Sequence, residues 1–225
     1  QAQRDRRVTL VLAHHPRPRL EAEQIRDLAL SASGLLVAKV GGPSVKPYQP
    51  GGIWEAVAMN QSTTRYYKQD KGESLYRRSI YTFWKRTAMN PTMEILNAPT
   101  RETFCVRRDV TNTPLQAFVT LNDPQFVEAA RNLATIALRE SESFDHRLDA
   151  ITQKFLSRIF ENDEREIVRQ TLSKVMSNYK TNPELAKSLI AVGESPVDEN
   201  LDPVDLASWT VIASQIFNLD ETLTK

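Results

Sequence analysis

Residues 121–140 read Leu-Asn-Asp-Pro-Gln-Phe-Val-Glu-Ala-Ala-Arg-Asn-Leu-Ala-Thr-Ile-Ala-Leu-Arg-Glu, and this stretch decides the fold class. Asn122-Asp123 supplies a capping side chain. Pro124 takes the first helical turn, where a missing N–H costs nothing, and a helix to about Glu140 follows. The same device recurs at Asn182-Pro183 and Asp202-Pro203. Between them, a helix from about Asp145 to Phe160 places Leu148, Ile151, Phe155 and Ile159 on one face. Asn162 is expected to cap another, with Asp163, Glu164 and Glu166 in the first turn, where the helix dipole favours negative charge. The last helix carries Leu206, Trp209, Ala213 and Ile216 as a core stripe. Five helices with short polar joints predict a mainly α fold, an antiparallel helical bundle over 114–225.

The N-terminal half reads differently. Leu20 to Ser33 is periodic at Ile25, Leu28, Ala29 and Ala32, with Gly34 as the stop. Residues 41–52 hold four glycines and three prolines and predict a rigid, irregular loop that matches neither the P-loop nor the dinucleotide pattern. Thr64–Tyr67 and Leu75–Trp84 are rich in aromatic and β-branched residues around Asp70-Lys71-Gly72, which predicts a small β-hairpin. A helical alternative for Leu75–Arg86 stays open, because Tyr76, Ile80 and Trp84 are also spaced i, i+4, i+8. The aromatic run Tyr76, Tyr81, Phe83 and Trp84 reads as core. Residues 87–114 carry Pro91, Pro99 and Pro114 without clear periodicity and read as a long connector.

The chain has 225 residues, a formal charge of +1 and 40% apolar residues. Those figures describe a globular chain and exclude a disordered tail, a collagen-like repeat and a disulfide-stapled mini-protein. The near-neutral total hides an asymmetry of +9 over residues 1–108 and −8 over 109–225. A basic half of that size fits an anionic partner, but no zinc finger, helix-turn-helix cue or RNP-type aromatic motif points to nucleic acid. The longest apolar run near the start, Val8–Ala13, is too short for a signal-peptide core or for the ~20 residues of a membrane helix.

Catalytic signatures are sparse. The three histidines, His14, His15 and His146, form no H-E-x-x-H, and the lone Cys105 forms no cysteine pair, so no metal site is expected. There is no G-x-S-x-G elbow and no C-x-x-C-H for a c-type haem. Cys105, between Phe104 and Val106, reads as a small buried hydrophobe. The alternative, a thiolate activated by Arg107 and Arg108, would want a histidine base. The candidate ligand-binding set is Arg101, Arg107, Arg108, Asn112, Thr113 and Gln116. Guanidinium forks suit carboxylate, phosphate or sulfate, although such side chains equally cap helices and satisfy loop carbonyls.

Five stretches now bear on family: 41–50 (Gly-Gly-Pro-Ser-Val-Lys-Pro-Tyr-Gln-Pro), 76–87 (Tyr-Arg-Arg-Ser-Ile-Tyr-Thr-Phe-Trp-Lys-Arg-Thr), 98–103 (Ala-Pro-Thr-Arg-Glu-Thr), 106–117 (Val-Arg-Arg-Asp-Val-Thr-Asn-Thr-Pro-Leu-Gln-Ala) and 121–130. Together with the ending Asn-Leu-Asp-Glu-Thr (218–222), they resemble the planctomycete-type domain of unknown function 1553 from about Leu20 to the C-terminus. The resemblance implies a large exported, extracytoplasmic protein with this domain last, often behind a cytochrome-c-like domain that carries the haem. It supplies no activity to transfer. The family's domain usually begins before the equivalent of Arg4–Leu20, so residues 1–225 are expected to be one domain, the C-terminal fragment of a longer protein.

The expected function is then a non-catalytic interaction or scaffolding module that meets the upstream domains of its own parent chain. Two alternatives remain: a ligand-binding or hydrolytic domain acting on acidic polysaccharide, and a docking surface for the cytochrome-c-like domain.

Overall fold

In the structure, a computed structural model, residues 18–224 are described. His14, His15 and the apolar run Val8–Ala13 lie outside them. The described residues are mainly helical. Helix α1 (Ala22–Ala32) opens with a reciprocal Glu21/Gln24 capping box. Two short helices also form: α2 (Ile53–Val57) follows directly on the 41–52 loop, and α3 (Pro91–Ile95) falls inside the 87–114 stretch that reads as a connector. Asn90 starts α3 by accepting from Thr92 N and Met93 N.

From Pro114 the chain is helical nearly throughout: α4 (Pro114–Asn122), α5 (Pro124–Glu140), α6 (Phe144–Leu156), α7 (Asn162–Thr181), α8 (Pro183–Ile190), α9 (Pro203–Phe217) and α10 (Asp220–Leu223). Helices start at all three predicted prolines, but only two carry the predicted cap: Asn182 before Pro183 makes no side-chain cap bond and donates Nδ2 to Asn178 O instead. Asp123 accepts from Gln125 N at 3.0 Å, and Asp202 from Asp205 N at 2.9 Å. Two boundaries differ. Helix α6 ends at Leu156 because Ser157 turns left-handed (φ 58°), which leaves Ile159 exposed. Helix α7 is capped by Glu161 with Glu164, so Asn162 is its first residue rather than its cap.

Helix α9 is apolar around its circumference, the pattern of a central helix, and it contacts α4, α5, α6, α7 and α8. Leu206, Trp209, Ala213 and Ile216 are all buried. The Phe217 ring lies 5.4 Å from Phe126 and 5.3 Å from Phe155.

No β-hairpin forms over 64–84; among the described residues there are only isolated bridges. Two 3-10 turns, Gly72–Tyr76 and Ser79–Tyr81, replace its second strand. Their carbonyls are claimed from elsewhere. Arg26 of α1 donates to Leu75 O at 2.6 Å and Arg77 O at 2.8 Å, while Val37 N reaches Tyr76 O and Val45 N reaches Tyr81 O. With the Leu75, Tyr76, Arg77 and Tyr81 carbonyls engaged by these groups, the segment is held against α1 and residues 37–45 rather than against 64–67. Of the aromatic run, Tyr76 is buried, while Tyr81, Phe83 and Trp84 are half-buried.

Candidate functional site

The six candidate residues separate into different environments. Arg108 is taken up by α1 and its cap: it meets Glu23 at 2.5 and 3.2 Å and Glu21 at 3.1 Å. Burial alone would raise the Glu23 carboxyl, but the guanidinium outweighs it and holds that group below its ordinary range. Arg101, with φ 62°, lies over the Trp84 ring at 4.4 Å. Asn112 donates to Asp220 Oδ1 at 3.3 Å. Thr113 and Gln116 form the capping box of α4, and Gln116 also donates to Ile95 O and Thr111 Oγ1, both at 2.9 Å. Arg107 is exposed and forms no ion pair among the described residues.

A cavity of about 260 Å³ brings Arg107, Arg108 and Gln116 together with Arg19, Glu21 and Asp109. Arg101, Asn112 and Thr113 do not line it. Cys105 is exposed rather than buried; its thiol donates to Arg107 O at 3.2 Å. Its neighbours are equally bare: Phe104 is 90% and Val106 89% exposed, and Val110 is exposed as well. The reason is local. The chain bends over 101–107, and its next anchors are Arg108, held by Glu23 of α1, and the Thr113–Gln116 box that opens α4.

At its other end the same segment borders a second cavity of about 410 Å³. Phe118, Asn122 and Asp123 face Tyr48, Gln49 and Gln69 across it, over a floor that includes Ile95, Val119 and three prolines (50, 91 and 124). Burial raises the Asp123 carboxyl, partly offset by bonds from Thr92 Oγ1 and Gln125 N.

Three buried charged residues were not legible as such. Arg26, 1% exposed, also donates to Gln125 Oε1 at 2.7 Å and Ser79 Oγ at 3.2 Å; burial pushes it down to about 10. Glu128, 0% exposed, accepts from Tyr76 OH at 2.9 Å and Ser195 N at 2.6 Å, while its Oε2 is buried without a hydrogen bond among the described residues. Arg131 donates to Ile190 O and Ser195 O. The available signal was position: Arg26 sits on the stripe of Ala22, Ile25 and Ala29, and Glu128 and Arg131 are three apart on a helix with few exposed faces. Each ties a helix to loop carbonyls or amides, which is structural work.

The described residues therefore present a mainly helical fold, with the two cavities above at either end of the 107–124 stretch. No group of three His, Cys, Asp or Glu among them could hold a metal ion, His146 is exposed, and no helix is long and apolar enough to cross a membrane. The family profile described as PSD1, a protein of unknown function (DUF1553), matches residues 1–172. The chain belongs to that family. The match begins upstream of Leu20 and ends within α7. No curated protein and no solved structure matches the chain.

Proposed function

We propose that this chain is a non-catalytic interaction module of an exported, extracytoplasmic multidomain protein, and that it docks an upstream domain of its own parent through the face built from Phe104, Val106 and Val110. The observation that carries this reading is the near-complete exposure of Phe104 and Val106 beside Arg101 and Arg107. Contiguous exposed apolar groups rimmed by polar ones mark interaction sites. Arg101 and Arg107 favour an acidic rim on the partner. A cytochrome-c-like domain is one such partner, with the haem held there. Acidic polysaccharide is a weaker occupant, because Arg108 is already neutralised by Glu21 and Glu23.

The test supplies the upstream polypeptide of the same parent protein in trans and measures binding by calorimetry. Binding should weaken as salt rises and be lost in the Phe104→Ser/Val106→Ser variant, whose altered side chains are exposed and leave the fold intact. No binding, or binding indifferent to that variant, refutes the proposal.

A further inference from the structure

The cavity at the far end of the segment has a chemistry of its own, independent of the docking face. Its one carboxylate, Asp123, has both oxygens engaged, by Thr92 Oγ1 and Gln125 N, and no Lys, Arg or His lines it. What remains is the rings of Phe118 and Tyr48 over an apolar floor of Ile95, Val119 and prolines, with the carboxamides of Gln49, Gln69 and Asn122 among them. Phe118 is 63% exposed although it sits on a helix whose other face is packed. Asn122 donates Nδ2 to Phe118 O at 2.8 Å, which leaves its carboxamide oxygen available. Gln69 makes no side-chain hydrogen bond among the described residues, and the Gln49 amide nitrogen is buried with no acceptor among them. A buried donor without an acceptor is unfavourable, so a ligand oxygen that reached it would be favoured.

From this arrangement we propose that the cavity between Tyr48, Gln49 and Gln69 on one side and Phe118 and Asn122 on the other binds a short neutral saccharide. Carboxamides donate and accept, as sugar hydroxyls do, and the exposed Phe118 face offers apolar area to the C–H face of a pyranose ring. The volume of about 410 Å³ falls within the ~300–1,000 Å³ of small-molecule sites. A charged ligand would find no counter-charge here, in contrast to the Arg107 cavity. No bond is made or broken; the site holds its ligand.

Saturation-transfer NMR and calorimetry on the intact chain test this, with cellotetraose, xylotetraose and mannotetraose as neutral probes, a sulfated oligosaccharide as the charged comparison, and a proline-rich peptide as the apolar one. At least one neutral probe should bind, with an affinity unchanged by salt. Phe118→Ala should weaken it roughly tenfold or more, the factor that 1.4 kcal/mol represents. Gln69→Ala should weaken it less, and Phe104→Ser should leave it unchanged. Circular dichroism confirms that each variant is folded; should Phe118→Ala unfold, Phe118→Leu, which keeps apolar bulk but not the flat ring, takes its place. Failure of all three neutral probes overturns the proposal. So does exclusive binding of the sulfated probe or the peptide, or binding that survives loss of the Phe118 ring. None of these outcomes bears on the Phe104 face, which is read out with a protein partner.

Discussion

Replacing Arg26 by methionine removes a guanidinium while keeping most of the volume of the side chain. In the folded chain that guanidinium is buried and satisfies four acceptors: Leu75 O, Arg77 O, Gln125 Oε1 and Ser79 Oγ. The serine hydroxyl keeps its bond to Asp27, but the two carbonyls and the glutamine oxygen are left without this donor. Burying an unsatisfied polar group costs about 1–3 kcal/mol, and partial relaxation toward water keeps the sum below three full penalties, so about 3–5 kcal/mol is expected. For a chain of this size each kcal/mol moves the melting temperature by about 2–4 °C, so Tm should fall by about 6–20 °C. Urea denaturation gives the free energy. Hydrogen exchange locates the damage, because the amides of Val37, Val45 and Phe83 are bonded through the same segment. Arg26→Lys should recover little, since an ammonium cannot span three diverging acceptors. A methionine variant within about 1 kcal/mol of the parent, with those amides still protected, would refute the view that Arg26 sets the conformation of residues 72–83.

Three further outcomes follow from the same packing. Gly193→Ala places a Cβ 2.4 Å from Glu128 Cδ at a φ of +95°, so destabilisation of at least about 1–3 kcal/mol is expected; an unchanged Tm would contradict the close approach. Trp209→Ala should cost about 3–5 kcal/mol, and near-UV dichroism should lose the share of the signal that Trp209 contributes beside Trp54 and Trp84; an unchanged Tm would contradict its burial under α9. Arg158 holds the Glu164 carboxyl down at about 2, so the stability from this pair is present above the ordinary pKa of 4.5 and lost as pH falls from there toward about 2. Both side chains are more than a third exposed, so the effect is modest and salt-sensitive. Glu164→Gln, which still accepts from Glu161 N, should flatten that acid limb, and an unaltered limb would contradict the assignment.

The legible parts of the fold are those whose causes are local. Asp123-Pro124 and Asp202-Pro203 carry both cap and start within a few residues, and the α9 stripe repeats within one helix. The β-hairpin was misread because the groups that prevent it, Arg26 and residues 37–45, lie about 30–50 positions upstream and act on backbone carbonyls that have no sequence signature. Burial of Arg26 and Arg131 was hidden for the same reason. At the candidate site, Thr113-x-x-Gln116 spells a capping box and acts as one, so its value as a ligand cue was weak from the start. Cys105 was misplaced because Phe104 and Val106 normally signal burial, and here they are the exposed face itself.

Cys105 also offers the most direct test of that face, since it is an exposed thiol between its two apolar residues. Alkylation by iodoacetamide can be followed in the free chain and in the chain saturated with the upstream polypeptide of its parent. The docking account predicts rapid alkylation of the free chain and strong protection in the complex, with protection lost in the Phe104→Ser/Val106→Ser variant. Alkylation that stays equally fast in a demonstrated complex would place the contact elsewhere and contradict the account.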